Sequence, residues 1–403
     1  MEWYDFALYG FFAPVISALF FPSVNPLISL IAAYGVFAMG FVMRPLGAVV
    51  FGYIGDRYGR SLVLLLSTIT MGISTFALGL MPTQAQAGIW STIGLVAVRL
   101  LQGFSVGGEF SGSVTFMVET SPLHRRGLAG SWANFGSMVG TLLGSGLAAL
   151  VTTWLGHGAV HDWGWRLTFV LGGVLAMVAY LYVRRLPATP HMSHHEGQHR
   201  EDSPLHEALT ENRRETLLAM LFTSGYGVVF YLSLVYLPTW ISTVGDVASH
   251  VALQINTLGL ACTLPLVLLS GWISDHLLRR RSLLLCAFAS IALAAWGLFD
   301  LAATGVADLI VAQLVLASLI AVPMGAAPAM LVELFPVADR LTGYSVAFNV
   351  GLGIAGGTAP VISTWLISVT GYTLAPALYL TLAALLSTAA LFFMADRSRE
   401  PLR

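Results

Sequence analysis

Twelve apolar runs, each long enough to span the hydrocarbon core of a bilayer, fall along this chain and leave it very few folds. They lie at 3–21, 29–54, 61–80, 89–118, 127–153, 165–185, 215–243, 249–273, 282–301, 307–333, 341–368 and 373–395. Inside lipid no water satisfies an exposed backbone N–H or C=O, so each run must close its own hydrogen bonds as a helix. Composition removes the water-soluble alternative. Of the 403 residues 57% are hydrophobic and 10% charged, whereas a water-facing domain carries roughly 25% charged residues. The expected fold is an all-α membrane protein with twelve transmembrane helices.

A repeated phrase divides these helices into halves. Glu119–Arg126 reads ETSPLHRR and Glu333–Arg340 reads ELFPVADR; both have the form Glu-x-x-Pro-x-x-x-Arg, and a serine follows five residues later, Ser131 and Ser345. The offset is 214 positions, and a second echo, GYIGDRYGR at 52–60 and GWISDHLLRR at 271–280, sets Asp56 and Asp275 219 apart. The expectation is two pseudo-symmetric six-helix bundles, 1–185 and 215–395, with a cytoplasmic linker at 186–214 and a tail at 396–403. Tandem bundles of this kind are used by carriers that rock two halves around a central site.

Arginine supplies the orientation. With both termini in the cytoplasm, sixteen of the nineteen basic residues fall on inner loops and tail, Arg166 lies outside, and Arg44 and Arg99 lie within spans; positive charge marks the inner side. Met1 leads directly into Glu2-Trp3-Tyr4-Asp5 without a basic leader, so the first helix is expected to start upstream of this reading frame. The linker histidines His191, His194, His195, His199 and His206 sit on a polar segment without a fixed scaffold, and neither a metal site nor a cofactor is expected. Cys262 and Cys286 lie in apolar runs and imply no disulfide. No basic cluster suits nucleic acid. The chain lacks a His-Glu-x-x-His helix, a Gly-x-Ser-x-Gly turn and a phosphate-cradling glycine loop, so it does not read as an enzyme.

GYIGDRYGR (Gly52–Arg60) resembles the loop signature between the second and third helices of the major facilitator superfamily, and RLLQG (Arg99–Gly103) its fourth-helix motif. EWYDFALYG (Glu2–Gly10), FVMRPLGAVVFG (Phe41–Gly52), RLLQGFSVGGEFSG (Arg99–Gly112), RRGLAGSW (Arg125–Trp132) and DWGWR (Asp162–Arg166) are similar to one branch, the metabolite–proton symporters. The first half matches closely; the second matches more loosely through VYLPTW (Val235–Trp240) and the ELFP–R segment, and has Leu278 and Arg279 where the family loop has glycines. ETSPLHRRGLAGSWANFGSM and DWGWR look closest to the proline/betaine type. The resemblance implies a transporter of the bacterial cytoplasmic (inner) membrane, functional as a monomer. It would carry a small carboxylate or zwitterion (proline or betaine, citrate, 2-oxoglutarate or shikimate class) inward with protons. The competing expectations are an exchanger or exporter of the same fold, and a nutrient sensor that no longer transports.

Charge inside the membrane marks the candidate site. An ionised side chain at mid-span costs about 2.5–3.5 kcal/mol on insertion scales, and the first half keeps Asp5, Arg44, Arg99 and Glu109 while the second keeps essentially none. Proton and substrate chemistry are therefore expected in the first bundle. Arg99 and Glu109 are ten residues apart, about 15 Å along a helix axis, too far to pair. Arg99 is expected to meet an anion, either the substrate carboxylate or a carboxylate of the first span. Asp5 or Glu109 would load the proton, and Glu109, set among Gly107, Gly108 and Gly112, equally fits a structural contact. Arg44, just before Pro45, either serves the site or pairs at the inner gate. Tyr9, Gln102, Tyr231 and Tyr236 are the candidates for lining the cavity. Gly52, Asp56, Arg57, Gly59 and Arg60, with Glu119, Arg126, Asp275, Glu333 and Arg340, are the candidates for a cytoplasmic gate that closes when the carrier faces outward.

Overall fold

A computed structural model describes residues 2–47, 50–51, 60–107, 109–183, 212–245, 247–336 and 340–402, with backbone alone at 60–64, 109, 157, 182–183 and 341–342. Its main helices are α1 (Glu2–Phe11), α2 (Ala13–Phe20), α3 (Pro26–Val42), α4 (Arg60–Leu80), α5 (Ile89–Val106), α6 (Glu109–Glu119), α7 (Arg126–Ala159) and α8 (Trp165–Val183). The second half follows with α9 (Arg213–Tyr231), α10 (Leu237–Val244), α11 (Ser249–His276), α12 (Arg280–Ala302), α13 (Val306–Leu334), α14 (Arg340–Ala347), α15 (Gly357–Thr370) and α16 (Ala375–Phe393). No strand occurs among the described residues.

Ten helical stretches among the described residues are long and apolar enough to cross a membrane, or eleven if one bent pair counts as a span. Two of the twelve expected runs differ for identifiable reasons. The first is not straight: α1 and α2 meet at 66°. Pro14 lacks an N–H and its ring crowds the carbonyl four residues back, that of Gly10, so the helix turns at Phe12. The third is described in full only over Leu65–Leu80, short of a full crossing. Elsewhere proline and glycine distort helices without ending the span. A π turn at Leu232–Tyr236 precedes Pro238 in α10, and another at Phe348–Gly356 precedes Pro360 in α15. Such turns release the carbonyls a proline cannot serve.

Two long helices form the axis of the molecule. α7 and α11 pack against each other along most of their length and run antiparallel. Contacts at Gly127–Asp275, Ser145–Thr257 and Thr153–Gln254 step up one helix and down the other. α1 leans on α7 where Gly140 and Gly144 carry no side chain, and a Cβ on Gly144 would stand 3.0 Å from the Tyr4 carbonyl. α3 packs on α15 in the same way across the sequence halves. The centre is aromatic: Phe37 and Phe41 of α3 stand edge-on to Tyr231 with ring centres 5.9 and 5.4 Å apart, and Phe6 joins them.

Candidate functional site

Three arrangements carry chemistry, and each begins with a residue type that lipid penalises. The first is a buried ion pair. Asp5 on α1 and Arg99 on α5 are fully buried, with Arg99 Nη1 2.9 Å from Asp5 Oδ2. The other carboxylate oxygen accepts from Thr75 Oγ1 of α4 at 2.9 Å, and Thr75 accepts in turn from Gln102 Nε2 at 3.2 Å. Arg99 and Gln102 are three residues apart on one helix and so share a face. The guanidinium lies 3.8 Å from the centre of the Tyr9 ring. Arg99 Nε and Nη2 and Gln102 Oε1 are buried without a hydrogen-bond partner. Arg44 makes a second pair with Glu2 at 2.7 Å and lies over the Phe41 and Phe6 rings. Of the anions considered for Arg99, the first-span carboxylate is the one it meets.

The second arrangement is a latch, built by the two repeated phrases exchanging partners. Glu119 of the first repeat pairs with Arg340 of the second at 2.7 Å. Arg126 of the first faces Glu333 of the second at 3.7 Å. Between them Asp275 accepts from the backbone N–H groups of Gly127 and Leu128 at 2.7 and 2.9 Å, capping the N-terminus of α7 from the opposite half. A carboxylate at that end satisfies otherwise orphaned donors and meets the positive end of the helix dipole. Arg280 locks the set, binding Asp275 at 2.7 Å and Glu333 at 2.6 Å while itself buried. The approach needs glycine: a Cβ on Gly127 would stand 2.6 Å from the Gly271 carbonyl, and one on Gly271 would stand 2.7 Å from Ser131 Oγ. Beyond the last helix, Asp396 accepts from the backbone of Arg281 and Ser398, both at 3.0 Å. Burial would raise this carboxyl, but those hydrogen bonds and the Arg280 charge hold it below the usual carboxylate value.

The third is a cavity of about 470 Å³ at the other end of the same helix pair. α7 contributes Thr152 and α11 contributes Ser249, His250 and Leu253; Phe12, at the turn between α1 and α2, and Pro238 of α10 flank them. His161 and Asp162, in the turn after α7, complete the rim and lie 3.7 Å apart. Residues of both sequence halves line the space.

The expected site residues thus fall in different places. Tyr9, Gln102, Tyr231 and Tyr236 are buried in the packed centre and do not line this cavity. Tyr9 donates to the Ala33 carbonyl at 3.0 Å, Tyr236 accepts from Thr364 at 3.1 Å, and the Tyr231 hydroxyl has no partner. Gly52, Asp56, Arg57 and Gly59, and the linker up to residue 211 with its histidines, lie outside the described residues; Arg60 and Glu109 are described by backbone alone. Sequence reasoning did not single out Thr75, Arg280 or the cavity rim. The run Arg279–Arg281, whose first two residues end the second-half echo of the loop, was the available signal for Arg280. Nothing in the apolar run around Thr75 distinguishes that hydroxyl.

Comparison with known proteins agrees on the family. The profile of the Major Facilitator Superfamily matches residues 3–264. The chain is 33% identical over 417 residues to a glycine betaine/proline/ectoine/pipecolic acid transporter of Dickeya dadantii, covering 100% of this chain and 82% of that one. It is 34% identical over 418 residues to the proline/betaine transporter of Salmonella typhimurium, with the same coverage. Among solved structures it is similar to a D-xylose–proton symporter, with a TM-score of 0.74 and 17% identity over 100% of this chain and 98% of that one. A proton:xylose symporter bound to 6-bromo-6-deoxy-D-glucose gives 0.73 and 16%, over 100% and 96%.

Proposed function

The chain belongs to the major facilitator superfamily, and on that premise we propose that it imports a small zwitterion or carboxylate, of the proline/betaine kind, together with protons. In this reading residues 1–185 and 215–395 are two six-helix bundles that rock about the α7–α11 axis in a bacterial cytoplasmic membrane, with both termini inside. The observation that carries the proposal is the opposition of latch and cavity. Buried charges bind the two halves at one end of α7 and α11, while the other end of the same pair holds open space lined by both halves. That is the arrangement alternating access requires of a carrier open to the outside. The arginine-rich latched end is then cytoplasmic.

Asp5 is the proton carrier in this reading. Its carboxylate joins Thr75 of α4 to Arg99 of α5, and a proton delivered there would release Arg99, whose Nε and Nη2 already lack acceptors. Loss of the pair charge would loosen α1 against its own bundle and pass the event to α7, on which α1 rests. The relatives named for proline and betaine support the solute class. Proteoliposomes with and without an inward proton gradient, offered labelled proline, betaine, citrate, 2-oxoglutarate and shikimate, test both parts. Accumulation of one of the first two is expected only with the gradient, and Asp5→Asn is expected to bind solute but not concentrate it. Gradient-driven accumulation by Asp5→Asn at the wild-type level would remove Asp5 from the coupling.

A further inference from the structure

The cavity carries a charge balance that its role as an opening does not use. Among its described lining residues Asp162 is the only carboxylate, and none is an arginine. His161 and His250, which also line it, carry charge only when protonated. Asp162 stands in a π turn, Val160–Gly164, with its side chain 77% exposed. His161 Nδ1 is 3.7 Å from it, beyond hydrogen-bond distance, so the carboxylate is open to a ligand. Arg166, four residues on, turns its charge elsewhere: its Nη1 donates to the Gly79 and Met81 carbonyls.

The rest of the lining is largely apolar or rich in oxygen. Thr152 Oγ1 gives its proton to the Ala148 carbonyl at 2.8 Å, and Ser242 Oγ gives its own to the Thr239 carbonyl at 3.0 Å. Both hydroxyls are left with lone pairs to offer the space. Phe12, Pro14, Val15, Pro238 and Leu253 add walls without a polar side-chain atom. The volume of about 470 Å³ lies within the range of small-molecule sites, about 300–1,000 Å³. Such a lining suits a methylated ammonium. Its charge is spread over apolar methyl groups, and it brings no N–H that would stand unsatisfied against an apolar wall. A di- or tricarboxylate would instead set further negative charge against Asp162.

We infer that this cavity binds the methylated ammonium group of the solute, with Asp162 as its counter-charge. This rests on the import reading above and narrows its solute class to quaternary ammonium compounds, ahead of proline and ahead of citrate or 2-oxoglutarate. A quaternary ammonium that lacks a carboxylate is then a ligand of the same site. Because Asp162 is exposed, its charge contributes about fivefold in affinity at most and is sensitive to salt. The apolar walls supply the remainder.

Equilibrium binding of labelled choline to the purified chain tests this without any gradient, against dimethylbutanol, in which carbon replaces the nitrogen. Wild type is expected to bind choline more tightly than the uncharged isostere, to release it to glycine betaine and to keep it against citrate. Asp162→Asn is expected to weaken choline about fivefold at low salt and the isostere not at all, the difference fading at high salt. Asp308→Asn removes an equal charge at the same end of the molecule, where that carboxylate accepts from Thr304, and is expected to change neither affinity. Ser242→Phe fills the cavity and is expected to abolish binding of both. Wild-type choline affinity in Asp162→Asn or in Ser242→Phe would overturn the assignment. So would an equal loss in Asp308→Asn, displacement by citrate, or a wild-type chain that binds no choline or does not yield it to betaine. The expected pattern in a chain that accumulates no solute in proteoliposomes would uphold the site and overturn import alone.

Discussion

The two ends of the α7–α11 pair are made of different materials. At the latched end Gly127 meets Gly271, a buried carboxylate caps a helix, and Arg280 is shared between two acids. At the cavity end the pair is joined by hydroxyls and an amide, and the outermost bond, Gln254 to Thr153, is exposed. A bilayer-spanning pivot cannot be tight at both ends and still rock. In the carrier proposed above, charge and close glycine contact hold the end that must seal against protons, and short neutral side chains leave the other end free to part. Removing one partner of a buried ion pair costs about 3–5 kcal/mol, whereas an exposed neutral hydrogen bond is worth about 0.5–1.5 kcal/mol.

The contrast can be broken most directly at the glycine contact. Gly127→Val is expected to hold the latched end apart and abolish uptake, with a cysteine placed at Ser131 becoming reactive to a water-soluble thiol reagent. An unreactive cysteine in that variant would mean that the halves do not part there. Asp275→Ala leaves α7 uncapped and Arg280 short of one acid; uptake is expected to fall tenfold or more, with the same reactivity appearing. Glu119→Gln should matter less, because that carboxylate is 39% exposed and its pair with Arg340 is partly screened. About threefold loss of uptake is expected, with partial recovery when Glu119→Arg is combined with Arg340→Glu. The smallest effect concerns Asp396. Its folded pKa is depressed, so its contribution to stability is present above the unfolded value of about 3.9 and is lost as pH falls through the lower, folded value. Thermal unfolding followed from pH 6 downward should therefore show a slightly flatter profile for Asp396→Asn than for wild type.

Much of this was written in the chain and some was not. The repeated Glu-x-x-Pro-x-x-x-Arg phrase announced two of the latch's three acids and two of its three arginines, because lipid and helix ends allow few places for such charges. It could not announce that the partners would be exchanged, Glu119 with Arg340 and Arg126 facing Glu333, since that follows from how two bundles meet. Asp5 and Arg99 were both legible as costly mid-membrane charges. That they neutralise each other, with Thr75 and Gln102 completing the set, depends on three helices converging. The cavity rim was illegible for a similar reason. Phe12, Thr152, His161 and His250 are ordinary residues at helix ends and acquire meaning only from the gap between them.

The sequence by itself determined an all-helical membrane protein of echoing halves with its mid-span charges in the first, because hydrophobic length, backbone satisfaction and the cost of burying ions act locally along the chain. Tertiary structure alone decided which acid meets which base, which end of the axial pair carries the buried charges, and which residues of the two halves line the cavity. Pairing and exposure are properties of surfaces brought together, and no single helix contains them.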